Sequence, residues 1–68
     1  MDKELLRFHM SKNGDSAKEL AMALGLHVTS LYKKINGETE FSCREMNAIA
    51  KRYKLRDESI IAIFFNDK

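Results

Sequence analysis

The sequence predicts an all-α domain of five helices, and three observations support this fold class. The 68 residues include no Pro and only three Gly, so few residues interrupt a helix. Apolar residues recur at spacings of three and four, the period of an amphipathic helix, and no segment alternates long enough to be a strand. Two Ser residues are each followed three positions later by Glu, a pattern typical of helix N-termini. A chain of this length is expected to form one domain, residues 1–68.

The first two helices have local start and stop signals. Asp2 can cap the first helix, which is expected to run to about Asn13. Ser16 and Glu19 form a capping box for the second helix, and Gly25 ends it. The residues expected to face the core are Leu6, Met10, Ala17, Leu20, Ala21 and Leu24.

Three further helices follow from the same signals. A short third helix is expected from about Val28 to Asn36. The fourth begins at the second capping box, which Ser42 forms with Glu45. The last helix, expected over residues 57–65, is apolar on more than one side. The inner residues of the third and fourth helices are expected to be Leu31, Ile35, Met46, Ile49, Ala50 and Tyr53.

Composition argues against several classes of protein. A 7.9 kDa chain can build one small core but no roomy substrate cavity, so an enzyme is not expected. The longest apolar run, residues 60–65, is far shorter than the roughly 20 residues that span a bilayer, and no signal peptide is visible. Cys43 has no partner for an intrachain disulfide. We therefore expect a cytoplasmic protein that does not contact membranes.

Candidate metal ligands and catalytic groups are few. His9, His27 and Cys43 have spacings that fit no common zinc pattern. Carboxylates are scattered, and no acid–base pair or activated nucleophile is evident. We expect no metal, no cofactor and no small-molecule ligand.

The most informative segment runs from Ala17 to Gly37. Two helices that cross through a short turn need a small residue where they approach, a left-handed residue at the corner, and apolar residues that close the angle. Ala21 and Gly25 meet the first two needs, and several Leu residues meet the third. This pattern is typical of a helix-turn-helix, whose second helix enters the DNA major groove.

The chain resembles the phage-repressor and Cro-like helix-turn-helix family, also called the XRE family, over about residues 5–65. The matching stretches are Ser-Ala-Lys-Glu-Leu-Ala from Ser16, Leu-Gly-Leu from Leu24, and Leu-Tyr-Lys-Lys-Ile-Asn-Gly from Leu31. The tail is similar to small prophage regulators. Lys34 departs from the pattern, because many members carry an apolar residue there. The resemblance implies a lambda-repressor-like fold and a regulator that binds operator DNA.

By position, the resemblance implies which side chains contact DNA. Bases would be read by the start of the third helix: His27, Val28, Thr29, Tyr32 and Lys33. Phosphates would be contacted by residues flanking that helix: Ser16, Lys18, Asn36 and Arg44. These residue types suit the roles, since hydroxyl and ammonium groups donate to bases and phosphates, and a Val methyl can contact a thymine methyl.

Structural roles remain as alternatives for the same residues. Thr29 and Ser30 could cap the third helix, the Tyr32 ring could lie against the core, and Lys33 and Lys34 could be solvated. The basic residues of the fourth helix and its C-terminal end are expected to be mostly solvated: Lys51, Arg52, Lys54 and Arg56. The chain could also be an antirepressor-like protein-interaction module that kept this fold without binding DNA.

The last helix carries more apolar surface than one small core needs. Ile60, Ile63 and Phe64 share a face that can close the core, whereas Ile61 and Phe65 point elsewhere. A homodimer through Ile61 and Phe65 would cover this surface and match a two-fold operator. A terminal helix that buries both faces in its own domain is the alternative.

Overall fold

A computed structural model describes residues 1–66, which form five α-helices and no strand. The helices are α1 (Lys3–Lys12), α2 (Ala17–Leu24), α3 (Val28–Ile35), α4 (Cys43–Tyr53) and α5 (Asp57–Phe64). The prediction of an all-α, five-helix fold is therefore confirmed. α1, α3 and α5 each end one residue earlier than the sequence predicted, and the last two residues of the predicted domain lie outside the described residues.

The predicted N-terminal caps are present. A side-chain oxygen of Asp2 accepts a hydrogen bond from the Leu5 N–H at 3.0 Å at the start of α1. The capping boxes of α2 and α4 are both complete, with Ser16 paired to Glu19 and Ser42 paired to Glu45. Because each box satisfies backbone N–H groups that the helix leaves without partners, the two helix starts are fixed locally.

The core is a single cluster of apolar side chains contributed by every helix. Leu6, Leu20, Leu31, Ile49 and Ile63 are fully buried, and each belongs to a different helix. The remaining buried members are Met10, Ala21, Ile35 and Tyr53. Ala17, Leu24, Met46 and Ala50 were expected to face the core, and they are only half-buried because they lie at its border.

The helix order brings the two ends of the described chain together. α1 packs on α5, α2 packs on α3 and α4, and α4 packs on α5. The Asp2 N–H donates to the carbonyl of Ile63 at 2.7 Å, which joins the start of α1 to the end of α5. Among residues 1–66, no helix combines the length and the apolarity that crossing a bilayer requires.

Candidate nucleic-acid interface

The connection between α2 and α3 is a tight turn at Gly25. Gly25 has φ 71° and ψ 29°, a left-handed conformation that glycine adopts without the steric cost of a side chain. The next residue, Leu26, donates its N–H to the Ala21 carbonyl at 2.9 Å, and its side chain packs against the core. These contacts close the end of α2 and set where α3 begins.

α3 has one face in the core and one face in solvent. Leu31 and Ile35 are buried. The opposite face and the residue before the helix expose all five side chains that were predicted to read bases: His27, Val28, Thr29, Tyr32 and Lys33. Within residues 1–66, none of these five side chains makes a hydrogen bond or an ion pair, so their polar groups are available to a ligand.

The capping role considered for Thr29 and Ser30 is not present. His27 is the N-cap of α3, no side chain caps this helix, and the Thr29 and Ser30 hydroxyl groups have no partner in residues 1–66. Tyr32 is 46% exposed and Val28 is 37% exposed. The outer face of α3 therefore combines apolar surface with unsatisfied donors and acceptors.

The four predicted phosphate contacts are all exposed and lie at helix ends. Ser16 caps α2 with its Oγ, which accepts from the Glu19 N–H at 3.1 Å, and the Ser16 side chain also hydrogen-bonds to the Glu19 carboxylate. Lys18 lies in the first turn of α2, Asn36 is the C-cap of α3, and Arg44 lies in the first turn of α4. Hydrogen bonds from the backbone and side chain of Ser16 lower the pKa of Glu19.

Lys34 lies between α3 and α4 rather than on the solvated face. Its Nζ is 3.0 Å from Glu45 Oε1 and donates to the Glu40 carbonyl at 2.9 Å. The same ammonium lies 5.9 Å from the centre of the Phe41 ring. Only 16% of the Lys34 side chain and 14% of the Glu45 side chain are exposed. The solvated alternative is therefore wrong for Lys34, although Lys33 is exposed.

Lys34 and Glu45 also connect the end of α3 to the start of α4. Burial acts to raise the pKa of Glu45, but hydrogen bonds from the Ser42 N–H and from Lys34 outweigh burial, and the pKa is lowered. Glu45 thus remains a carboxylate that holds both the α4 cap and Lys34. The only sequence signal for this contact was Lys34 itself, a charged residue at a position where many members of the XRE family, which the sequence resembles, carry an apolar residue.

A second polar cluster joins the segment before α2 to the end of α4. Two nitrogens of Arg52, Nε and an Nη, donate to the two carboxylate oxygens of Asp15, each at 2.7 Å. The Tyr53 hydroxyl donates to the same carboxylate at 2.5 Å. Arg52 is exposed, as expected for a residue of the solvated face, but its guanidinium is also held by Asp15.

The hydrogen bonds of this cluster shift the pKa values of Asp15 and Tyr53. Hydrogen bonds from Arg52 and Tyr53 outweigh burial and lower the pKa of Asp15. Burial, together with the hydrogen bond to Asp15, raises the pKa of Tyr53. The Asp15 side chain is only 5% exposed, so the pair with Arg52 is mostly shielded on the carboxylate side. The segment that leads into the cap of α2 is therefore anchored to α4.

Two further results bear on what this surface does. Within residues 1–66, no group of three His, Cys, Asp or Glu side chains is placed to hold a metal ion. Comparisons of this chain with protein-family models, with curated proteins and with solved structures found no match. A proposal for the function therefore has to rest on the outer face of α3 and on the contacts that fix α3 in the fold.

Proposed function

We propose that this chain is a sequence-specific regulator of transcription that binds double-stranded DNA, with α2, the Gly25 turn and α3 acting as a helix-turn-helix. The observation that carries the proposal is the outer face of α3, where five exposed side chains have no partner in residues 1–66. An α-helix is about 10–12 Å wide with its side chains, and the major groove is about 12 Å wide. The eight residues of α3 would fill about one groove crossing.

The chemistry of this face suits the reading of base edges. Thr29 can donate to or accept from a base, and its methyl group can contact thymine. Val28 adds a second apolar contact of the same kind, and Lys33 can donate to the O6 and N7 atoms of guanine. His27 adds a ring nitrogen to this face, and Tyr32 adds a hydroxyl group.

The flanking residues suit phosphate contacts. Ser16, Lys18, Asn36 and Arg44 lie at three different helix ends, and Lys18, Asn36 and Arg44 each present a side-chain donor to solvent. Contacts to phosphates set the register of a protein on the duplex without reading sequence. In this proposal Asp15 and Arg52 support the position of Ser16, because they anchor the segment before α2.

Regulation would follow from occupation of the operator. A repressor or Cro-like protein that covers promoter DNA in the cytoplasm needs no catalytic group and no cofactor.

Ile61 and Phe65 are 58% and 62% exposed, and Phe65 borders a groove of about 410 Å³ that Phe41 and Phe64 also line. A homodimer through this surface would bring two α3 helices to the two halves of an inverted repeat.

An interaction module that binds another protein is the second candidate. Met22 on α2 is 73% exposed, and it adds to the exposed apolar surface of Val28 and Tyr32. Apolar and aromatic side chains are enriched at the centres of protein interfaces. This candidate predicts a stable complex with another regulator and no dependence on duplex DNA.

A gel-shift titration against the DNA upstream of the chain's own gene separates these candidates. The DNA-binding proposal predicts a complex at low salt that weakens as salt rises, because each neutralised phosphate releases counterions. No complex at low salt would contradict the proposal, and a salt-insensitive complex with a protein partner would favour the interaction module.

A further inference from the structure

The side of α4 that faces away from the core carries a row of basic residues. Ile49 and Tyr53 are the buried residues of this helix. Exposed residues recur on the opposite side at spacings of three and four, which places Arg44, Asn47 and Lys51 on one face of the helix. Lys54 follows directly after the helix as its C-cap and is also exposed. We call Arg44, Asn47, Lys51 and Lys54 the α4 basic row.

Among residues 1–66, no acidic side chain pairs with this row. The two ion pairs of these residues join Lys34 to Glu45 and Arg52 to Asp15. Neither pair includes Arg44, Lys51 or Lys54, and these three side chains have no other partner in the same part of the chain. Three cations therefore lie along α4 and its C-cap over about 15 Å, from the rise of 1.5 Å per residue.

The last member of the row has an unusual backbone conformation. Lys54 has φ 53°, and it is the only residue other than glycine with positive φ among residues 1–66. The other three left-handed positions are all glycine, which avoids the steric cost. Favourable interaction with the helix C-terminus does not require this lysine, because Lys51 and Arg52 already lie in the last turn. A lysine at this position therefore keeps a cation in the row at a steric cost.

We infer that the α4 basic row is a second contact surface for the phosphate backbone of duplex DNA, in addition to the surface around α3. This inference rests on the proposed function and assigns Lys51 and Lys54 a role in it. Phosphates recur along each strand of a duplex, and a row of about 15 Å is long enough to reach more than one of them. The cations of the row complement this negative charge, and Asn47 adds a neutral donor of the type that contacts phosphates.

The salt dependence of binding tests the row. The test variant carries Lys51→Gln and Lys54→Asn, since Asn tolerates the left-handed conformation. The control variant carries Lys3→Gln and Lys12→Gln, which removes the same charge from exposed positions of α1. Wild type and both variants are titrated with one cognate and one random duplex from 50 to 200 mM salt, and circular dichroism checks that each protein is folded.

The inference predicts that the slope of log K against log salt becomes less negative by about 0.9 for each lost phosphate contact. The test variant should lose about two contacts, equally on cognate and random DNA, whereas the control should keep the wild-type slope. Equal slopes for the test and control variants would overturn the inference and leave the proposed function standing. Absence of any duplex binding by folded wild type would overturn both, and it would point to an acidic protein as the partner of the row.

Discussion

Two adjacent lysines on α3 have opposite environments. Lys33 is exposed, whereas Lys34 is held by Glu45 and by the Glu40 carbonyl. Because residues on a helix are separated by about 100°, fixing Lys34 against α4 also fixes the direction of Thr29 and Lys33. The contacts of Lys34 therefore help to set the rotation of α3, together with the buried side chains of Leu31 and Ile35.

Thr29 is the residue whose replacement best separates base reading from phosphate contact. Thr29→Ala is expected to cost about 1–3 kcal/mol of binding free energy on the cognate duplex and little on random DNA. Lys18→Ala or Arg44→Ala should weaken both complexes similarly, because phosphates carry no sequence information. Fluorescence anisotropy titrations on both duplexes measure the losses. Equal losses on both duplexes for Thr29→Ala would refute its reading role.

The lowered pKa of Asp15 makes the free energy of unfolding depend on pH, and it also sets the direction of that dependence. Its pKa is lowered in the folded state by Arg52 and Tyr53, so its contribution is present above the unfolded pKa of about 3.9 and is lost as pH falls through the folded pKa. Asp15→Asn is expected to lower the free energy of unfolding by about 2 kcal/mol at pH 7, because charge-assisted hydrogen bonds are lost.

Urea unfolding of wild type and Asp15→Asn at pH 7 and near pH 3 measures this effect. The difference between the two proteins should shrink at the lower pH, because below about pH 3.9 the unfolded chain binds a proton at Asp15 that folding must release. Glu38→Gln, at an exposed turn position, serves as the control and should change little at either pH. A difference for Asp15→Asn that is independent of pH would show that its charge does not stabilise the fold.

At the scale of helices, the sequence predicted the helix starts and ends that are determined by nearby residues. The caps at Asp2, Ser16 and Ser42 predicted three helix starts, and Gly25 predicted the end of α2, because each acts within four residues of the chain. Apolar spacing also predicted that Leu20 and Ile49 are buried. The ends of α1, α3 and α5 each came one residue before the predicted last residue, because helix ends fray and their assignment varies by a residue or two.

Contacts between distant segments were not predictable in the same way. Asp15 is 37 and 38 positions from Arg52 and Tyr53, and no spacing rule joins residues so far apart. The exposed side chains of α3 could be predicted from the sequence, because a motif places them on one face of a helix. The tertiary contacts that hold this face were found only in the structure.

The capping box of α4 stabilises two elements at once, because Glu45 also contacts Lys34. Ser42→Ala removes the hydroxyl that accepts from the Glu45 N–H and should lower the free energy of unfolding by about 1 kcal/mol. Ser11→Ala in α1 is a matched control at an exposed position. Thermal and urea unfolding should separate the two variants, and equal stabilities would contradict the role of the cap.

At the scale of the whole molecule, the exposed residues of α5 bear on assembly. Ile61 and Phe65 lie in solvent while Ile63 fills the core. We predict a homodimer, which analytical ultracentrifugation would detect for wild type and which Phe65→Ser would abolish without loss of helix content by circular dichroism. A wild type that stays monomeric at high concentration, both alone and on palindromic DNA, would contradict the dimer.

The central claim is that the outer face of α3 reads duplex DNA, and selection from a pool of randomised duplexes at low salt tests it most directly. Wild type is compared with a variant carrying Thr29→Ala and Lys33→Ala, and the retained duplexes are sequenced. The account predicts that wild type enriches one sequence motif and that the variant still retains DNA but loses the motif. Failure of folded wild type to enrich any motif, or enrichment of the same motif by the variant, would contradict it.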